Sequence, residues 1–218
     1  MSRPENTWID ISVHVRESMP QWPGDPTLHI ERAKEQSKGD VCTLTCASMS
    51  AHTGTHMDAP LHFVPNAKTI DQMPIDATVG PARVIHIKDQ TAIHREELAR
   101  HGIQQGERIL FRTRNSDRDW QNLPFDENFI YIARDGAEYL AECGVRTVGV
   151  DYLSVGGFRV DSVETHVALL GKGIWIVEGL NLSGIEPGDY DLVCLPLKWA
   201  NCEGAPARAI LRRTERAA

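Results

Sequence analysis

Three histidines and one aspartate fall within eleven residues of this 218-residue chain, in the segment His52-Thr53-Gly54-Thr55-His56-Met57-Asp58-Ala59-Pro60-Leu61-His62. Imidazole nitrogens and carboxylate oxygens are the ligands that zinc, manganese and iron(II) take from proteins. A surface loop can also hold histidines by chance. The density of ligand-type side chains in so short a segment favours a metal site.

The spacing of these residues matches no single regular element. His52 and His56 are four residues apart, which suits one face of a helix, whereas His56 and Asp58 are two apart, which suits an extended chain. On one strand, His52 and His62 would lie about 33 Å apart at roughly 3.3 Å per residue. The segment must therefore curve, and Gly54 can supply the unusual backbone dihedrals. We predict a curved, glycine-containing loop that gathers its ligands around one point.

Two common zinc motifs do not fit this segment. A zincin helix needs a glutamate directly after its first histidine, and Thr53 stands there. Upstream, Cys42 and Cys46 lie in an alternating pattern over residues 41–50 that predicts a strand. On a strand the two cysteines would be about 13 Å apart and could not share one ion. We expect both to be buried and reduced.

The same eleven residues resemble the signature of the metal-dependent cyclase family, which includes bacterial kynurenine formamidases. The resemblance extends to Trp22-Pro23-Gly24-Asp25, to residues 186–198 and to residues 205–209. It therefore covers nearly the whole chain.

The resemblance implies a site with five metal ligands. Besides His52, His56 and Asp58, it places His166 and Glu178 as two distant ligands; from spacing alone, a satisfied helix histidine and a solvated loop acid are the favoured interpretations. Five ligands are too many for one catalytic tetrahedral zinc with an open position, and they suit two ions with bridging carboxylates. By resemblance Asp58 and Glu178 bridge two zinc ions per chain, with manganese as the alternative metal.

Two further residues receive roles from the resemblance. His62 would be the proton donor and acceptor, because a histidine beside the metals titrates near neutral pH. The alternative is that His62 only hydrogen-bonds a ligand. Trp22 would offer a flat face to an aromatic substrate, and its alternative is packing in the core.

The chain departs from the kynurenine formamidases at a few positions. Asp151-Tyr152-Leu153-Ser154 stands where these enzymes tend to carry Asp-Thr-Pro-Ser, and Thr55 stands where they often have alanine. The ligands are unchanged, so hydrolysis is still predicted. The identity of the substrate is left open.

The function that the resemblance implies is amide hydrolysis by a metal-bound hydroxide, with His62 protonating the leaving nitrogen. The expected reaction converts N-formyl-L-kynurenine to L-kynurenine and formate, a step of tryptophan catabolism. Alternatives are an isatin-type hydrolase of cyclic amides, a lyase or dehydratase of the same family, and a non-catalytic metal-binding protein. A structural metal site is closed and needs no proton shuttle, which disfavours the last alternative.

Composition is that of an ordinary globular protein, with 41% hydrophobic and 24% charged residues. A net charge of −7 argues against nucleic acid or an anionic membrane as a partner and leaves a small-molecule aryl amide. Residues 1–6 have no apolar stretch typical of a signal peptide, and no apolar run approaches the roughly 20 residues of a membrane span. The five cysteines form no close-set framework. We therefore expect a cytoplasmic enzyme.

Strand patterns first cluster along the chain and then alternate with helical ones, which predicts the α/β class with a mixed sheet and helices packed on it. Strands are predicted at residues 8–11, 28–30, 41–50, 82–87, 108–113, 148–151, 174–177, 191–197 and 207–211, and helices at 94–100, 135–143 and 162–170. The resemblance implies the swivelling β/β/α fold, in one domain over residues 1–218. It also implies a homodimer or homotetramer.

Overall fold

The computed structural model describes residues 7–214. This part of the chain forms strands β1 Ile9–Asp10, β2 His29–Lys34, β3 Leu44–Ser48, β4 His56–Asp58, β5 Val79–His86, β6 Ala92–Ile93, β7 Arg108–Arg112, β8 Tyr131–Ile132, β9 Thr147–Val150, β10 Trp175–Glu178, β11 Gly188–Pro196 and β12 Gly204–Arg213. Its helices are α1 Arg95–Leu98, α2 Arg134–Cys143 and α3 Ser162–Leu170. None of the described helices is long and apolar enough to cross a membrane. Residues 1–6, on which the signal-peptide expectation rests, lie outside the described residues.

Eight strands form one sheet in the order β1-β12-β11-β5-β7-β9-β10-β4, and β12 also pairs with β4. This additional pairing closes the sheet into a barrel. Strands β5, β7, β9 and β10 run parallel to their neighbours in that series, while the remaining pairs are antiparallel. The predicted mixed sheet is therefore confirmed, and the short strand β4 that closes it lies inside the histidine-rich segment.

Alternation along the strands separates two apolar layers. In β10, Val177 belongs to a buried cluster that contains no residue of the three α-helices, which places it inside the barrel. Its neighbour Ile176 belongs to a second cluster that includes Leu140 of α2 and Leu169 of α3. Since successive side chains of a strand point to opposite faces, the helices cover the outer face of the parallel strands.

One sequence prediction about burial is wrong. Cys42 and Cys46 are free thiols, as predicted, but both are exposed. The reason is that, within residues 7–214, β3 pairs only with β2 in a two-stranded hairpin, and all five residues of β3 are exposed. An alternating pattern indicates a strand, but it buries side chains only where another layer covers one of the faces.

Candidate metal centre and active site

Strands β4 and β10 bring the predicted ligands together from distant parts of the sequence. Their antiparallel register places His56 directly opposite Glu178. Met57 and Val177 both belong to the cluster inside the barrel, so their neighbours His56, Asp58 and Glu178 point to the outer face. Three of the five predicted ligands therefore converge on one face of the sheet.

The turn before β4 depends on two glycines with positive φ. Gly54 has φ 68° and Gly179, directly after β10, has φ 69°. A Cβ atom on Gly179 would lie 2.2 Å from the carbonyl oxygen of Gly54, so the two backbones touch. The Thr55 hydroxyl donates a hydrogen bond of 2.6 Å to the carbonyl of Gly179. The predicted curvature at Gly54 is confirmed, and Thr55 holds the turn in place.

Helix α3 places His166 over the same face. The Nδ1 atom of His166 lies 2.6 Å from the carbonyl oxygen of Ser162. In the same way, Nδ1 of His56 lies 2.9 Å from the carbonyl oxygen of Gly54. A carbonyl can only accept, so Nδ1 carries the proton in both rings. In the neutral form of each ring, the lone pair on Nε2 then faces the carboxylates.

Each carboxylate lies between histidines on two sides. Asp58 Oδ1 is 2.9 Å from His52 Nδ1 and 3.5 Å from His56 Nε2, while Asp58 Oδ2 is 3.7 Å from His166 Nε2. Glu178 Oε2 is 3.2 Å from His56 Nε2, and its Oε1 is 3.3 Å from His166 Nε2. The donors thus form two adjacent groups that share both carboxylates.

The donor set fits a divalent cation. Nε2 of His56 and Oδ2 of Asp58 are buried and have no hydrogen-bond partner among the described residues. A buried polar atom without a hydrogen-bond partner lowers the stability of the folded state by about 1–3 kcal/mol. Donors about 2.0–2.1 Å from a tetrahedral ion lie roughly 3.3–3.4 Å apart. The observed separations between nitrogens and oxygens, from 2.9 to 3.7 Å, bracket that value.

The electrostatics of the cluster also favour a cation. Burial raises the pKa of Asp58, but the charge and hydrogen bond of His52 outweigh burial and leave that pKa below its usual range. Burial lowers the pKa of His52, and the Asp58 charge and hydrogen bond reverse this and raise it to about 9. The pKa of His166 rises against burial because of Glu178. Buried carboxylates that stay ionised attract positive charge, and metal ions compete with protons for the same nitrogens.

His62 lies beside this cluster, at the end of the 3₁₀ turn Pro60–His62 that follows β4. Its ring stacks on that of His52, with centroids 4.0 Å apart and planes 23° apart. Burial lowers the pKa of His62. Its ligand atom also lies within 4.8 Å of those of Asp58 and His166. The geometry is therefore compatible with proton transfer and with direct ligation.

Trp22 packs in an aromatic cluster and also lines a cleft beside the predicted ligands. Its ring lies edge-on to three phenylalanines, Phe125, Phe129 and Phe158, at centroid distances of 5.5, 6.2 and 5.4 Å. Trp22 also lines a cleft together with His52 and Leu153. The aromatic cluster packs on one side of the indole, and the cleft extends from Trp22 to His52, one of the predicted ligands.

Within the segment 151–154, which differs from the kynurenine formamidases, one residue lines this cleft and another packs behind it. Leu153 lines it. Tyr152 is buried behind it, stacked on Phe129 with centroids 4.5 Å apart, and its hydroxyl accepts a hydrogen bond of 2.7 Å from the backbone of Asp126. Of the residues that differ from the kynurenine formamidases, Leu153 therefore changes the shape of the cleft directly, whereas Tyr152 packs behind the cleft wall.

Two contacts of the ligands are absent from the sequence predictions. The backbone N–H of Val155 donates a hydrogen bond of 2.7 Å to Glu178 Oε1. Glu203 Oε1 lies 3.4 Å from His52 Nε2. No spacing signal marks Glu203, because only the pairing of β12 with β4 brings it to the site.

The barrel and its histidine–carboxylate cluster define a metal-dependent hydrolase. The sequence profile of the Cyclase family, described as "Putative cyclase", matches residues 9–156, more than half of the chain. A kynurenine formamidase from Geobacillus thermodenitrificans is 37% identical over 209 residues, which cover 95% of this chain and 98% of that protein. The chain belongs to the Cyclase family.

Solved structures confirm the predicted fold. A predicted metal-dependent hydrolase from Bacillus stearothermophilus has a TM-score of 0.83 and 33% identity, covering 95% of this chain and 98% of its own. Isatin hydrolase A from Labrenzia aggregata, bound to benzyl benzoate, has a TM-score of 0.80 and 25% identity, covering 96% and 94%. These relatives also support the predicted class, a hydrolase that acts on a carbon–nitrogen amide bond.

Proposed function

We propose that this protein is a metal-dependent amide hydrolase that converts N-formyl-L-kynurenine and water to L-kynurenine and formate. The observation that carries the proposal is the pair of buried carboxylates, Asp58 and Glu178, each facing histidines on two sides. The similarity to kynurenine formamidases over nearly the whole chain supports the substrate.

In this proposal His52, His56, Asp58, His166 and Glu178 hold two divalent ions, zinc or manganese. The two oxygens of each carboxylate face different histidines, which supports a bridging role for both acids. A divalent ion supplies Lewis acidity for the amide carbonyl and lowers the pKa of the attacking water.

His62 moves the proton in this proposal. Water must lose one proton as it attacks the formyl carbon, and the amide nitrogen must gain one as the carbon–nitrogen bond breaks. Burial lowers the pKa of His62, so its neutral form can take the first proton and return it to the nitrogen. Trp22 would hold the aryl ring in the cleft that ends at His52.

A second candidate is hydrolysis of a cyclic aryl amide such as isatin. The observation that favours it is Leu153 in the cleft wall, within the segment that departs from the kynurenine formamidases. The structural likeness to isatin hydrolase A is consistent with it. Apolar pocket contacts change substrate preference by roughly 10–200-fold, so one cleft residue can decide between the two substrates.

Metal content and substrate preference test the proposal together. Protein purified without chelator is expected to carry near two ions per chain, because five donors and two shared carboxylates are present. Chelation should abolish activity, and zinc or manganese should restore it. A panel of N-formylkynurenine, isatin and simple anilides, followed by product absorbance, ranks the substrates by kcat/KM. Protein without metal and without activity after metal addition would contradict the proposed centre, and preference for isatin would select the second candidate.

A substitution of Trp22 tests the substrate role. Trp22→Ala is expected to raise KM for aryl amides and to leave metal content unchanged, whereas Trp22→Phe should be mild because a stacking face remains. Trp120→Leu is the control, because Trp120 contacts Tyr152 in the same aromatic cluster without lining the cleft. It should lower thermal stability and leave KM unchanged. An unchanged KM in Trp22→Ala would assign Trp22 to packing alone.

We propose further that the protein is a homodimer or homotetramer in which the β2–β3 hairpin contacts a second copy. The exposed hairpin supports this, with Leu44 47% exposed and Val41, in the connecting turn, 97% exposed. Light scattering of the wild type and of Leu44→Arg provides the test. A wild-type mass of one 24.3 kDa chain would contradict it.

The cytoplasm is the proposed location. The five cysteines are free thiols, which suits a reducing compartment. Cell fractionation with an activity assay is the measurement, and activity confined to an oxidising compartment would contradict the assignment.

A further inference from the structure

Two of the ligand histidines are oriented by the protein backbone. The Nδ1–H group of His56 donates to the carbonyl of Gly54, and that of His166 donates to the carbonyl of Ser162. Such contacts fix the tautomer and direction of a ligating imidazole and raise its basicity. A third ligand histidine needs an equivalent acceptor at its other nitrogen.

His52 is oriented the other way round. Its Nδ1 donates to the Asp58 carboxylate at 2.9 Å in the absence of a cation, and a cation bound at that carboxylate would displace this proton, so Nε2 is the nitrogen that then needs the acceptor. Nε2 is buried and has no hydrogen-bond partner among the described residues. The ring also lies close to the backbone at Gly204, where a Cβ atom would be 2.8 Å from its Cε1. Glu203 Oε1, 3.4 Å from Nε2, is the carboxylate oxygen beside it.

The position of Glu203 is fixed from both sides. Its carbonyl accepts a hydrogen bond of 2.8 Å from the N–H of Ala59, next to the ligand Asp58. Gly204 pairs with Asp58 between β12 and β4. The thiol of Cys202 donates to Glu203 Oε2 at 3.5 Å. One carboxylate oxygen is thus held by Cys202, and the other is directed at His52.

We propose that Glu203 is the positioning residue of His52. Its carboxylate accepts a hydrogen bond from Nε2–H, so that when a cation replaces the proton on Nδ1, the Nδ1 lone pair is directed at the cation and is more basic. The Glu203 side chain is 40% exposed, and its Oε1 lies 3.4 Å from Nε2. The proposal rests on the metal centre of the proposed function.

Metal affinity tests the role of Glu203 independently of catalysis. Glu203→Ala is expected to weaken Zn²⁺ binding about 10–100-fold, measured by competition with a chelator. Glu203→Gln should recover part of that loss, because an amide oxygen can still accept the proton. The absorption spectrum of the Co²⁺-loaded protein should shift in Glu203→Ala, since the direction of one ligand changes.

Asp71→Asn is the matched control. Asp71 accepts a hydrogen bond of 3.1 Å from the backbone of Asn201, in the same segment before β12, but it contacts no ligand. Its substitution removes one charge from that region and should leave Zn²⁺ affinity unchanged.

Several outcomes would overturn the proposal. An equal loss of affinity in Asp71→Asn would assign the effect to general charge, and wild-type affinity with an unchanged Co²⁺ spectrum in Glu203→Ala would remove Glu203 from the site. Wild-type protein that binds neither metal would overturn the metal centre itself, and with it this role of Glu203. The wild-type titration in the same experiment separates these failures.

Discussion

Asp58→Asn is expected to lose both bound metal and hydrolytic activity. Asp58 has no exposed surface, and its two oxygens face His52 and His56 on one side and His166 on the other. Changes to groups that merely contact a ligand cost about 10–100-fold in metal affinity. Loss of the shared charge should therefore cost more than about 100-fold, although the amide has nearly the same size.

Thermal unfolding provides a readout that does not depend on activity. At a free metal concentration of about 100 times Kd, binding stabilises the wild-type protein by about 2.7 kcal/mol. At roughly 2–4 °C per kcal/mol for a chain of this size, the melting temperature should rise by about 5–10 °C on adding zinc. In Asp58→Asn this rise should disappear, and elemental analysis should find little metal.

Asp151→Asn is the matched control, because Asp151 is equally buried. Its carboxylate accepts hydrogen bonds of 2.7 and 2.8 Å from the backbone and hydroxyl of Thr113, and others from Ser116 and Asn115. Asp151→Asn should lower the melting temperature without metal and should keep the rise on adding zinc. A metal-dependent rise of wild-type size in Asp58→Asn would remove Asp58 from the metal centre.

The local part of the site could be predicted from the sequence because the ligands lie within one segment. His52, His56 and Asp58 are close in sequence, so a turn of the backbone is enough to bring their side chains together. The positive φ of Gly54 allows that turn, as predicted. His166 and Glu178 came only from the family resemblance. Their proximity depends on the register of β4 and β10 and on the docking of α3, which no local pattern encodes.

A predicted strand is buried only where other layers cover it. In β10, the apolar run at residues 174–177 is covered on both faces, since Val177 packs inside the barrel and Ile176 packs under the helices. In β3, an alternating pattern suggested burial of Cys46, but the hairpin has no covering layer within the described chain. Glu203 could not be predicted from the sequence, because it reaches the site only through the pairing of its neighbour Gly204 with β4, about 145 residues earlier in the chain.

His62→Ala is expected to retain the metal and to lose about 10²–10⁴-fold in kcat. This loss corresponds to about 2.7–5.4 kcal/mol at 1.36 kcal/mol per tenfold change in rate. The His62 ring stacks on the ring of His52 with centroids 4.0 Å apart, so it lies directly beside the proposed metal ligands. Burial lowers its pKa, so the neutral form that accepts the first proton predominates near pH 7. His62→Asn should be equally slow, because an amide side chain cannot exchange a proton.

The split between kcat, KM and metal content separates the three roles open to His62. A group that acts only in the transition state lowers kcat and kcat/KM equally and leaves KM unchanged. A raised KM with normal kcat would instead assign His62 to substrate binding. Loss of metal in His62→Ala would make it a ligand, which its proximity to the ligand atoms of Asp58 and His166 permits. His101→Ala, a substitution remote from the cluster, should change none of these quantities, so a general effect of removing a histidine is excluded.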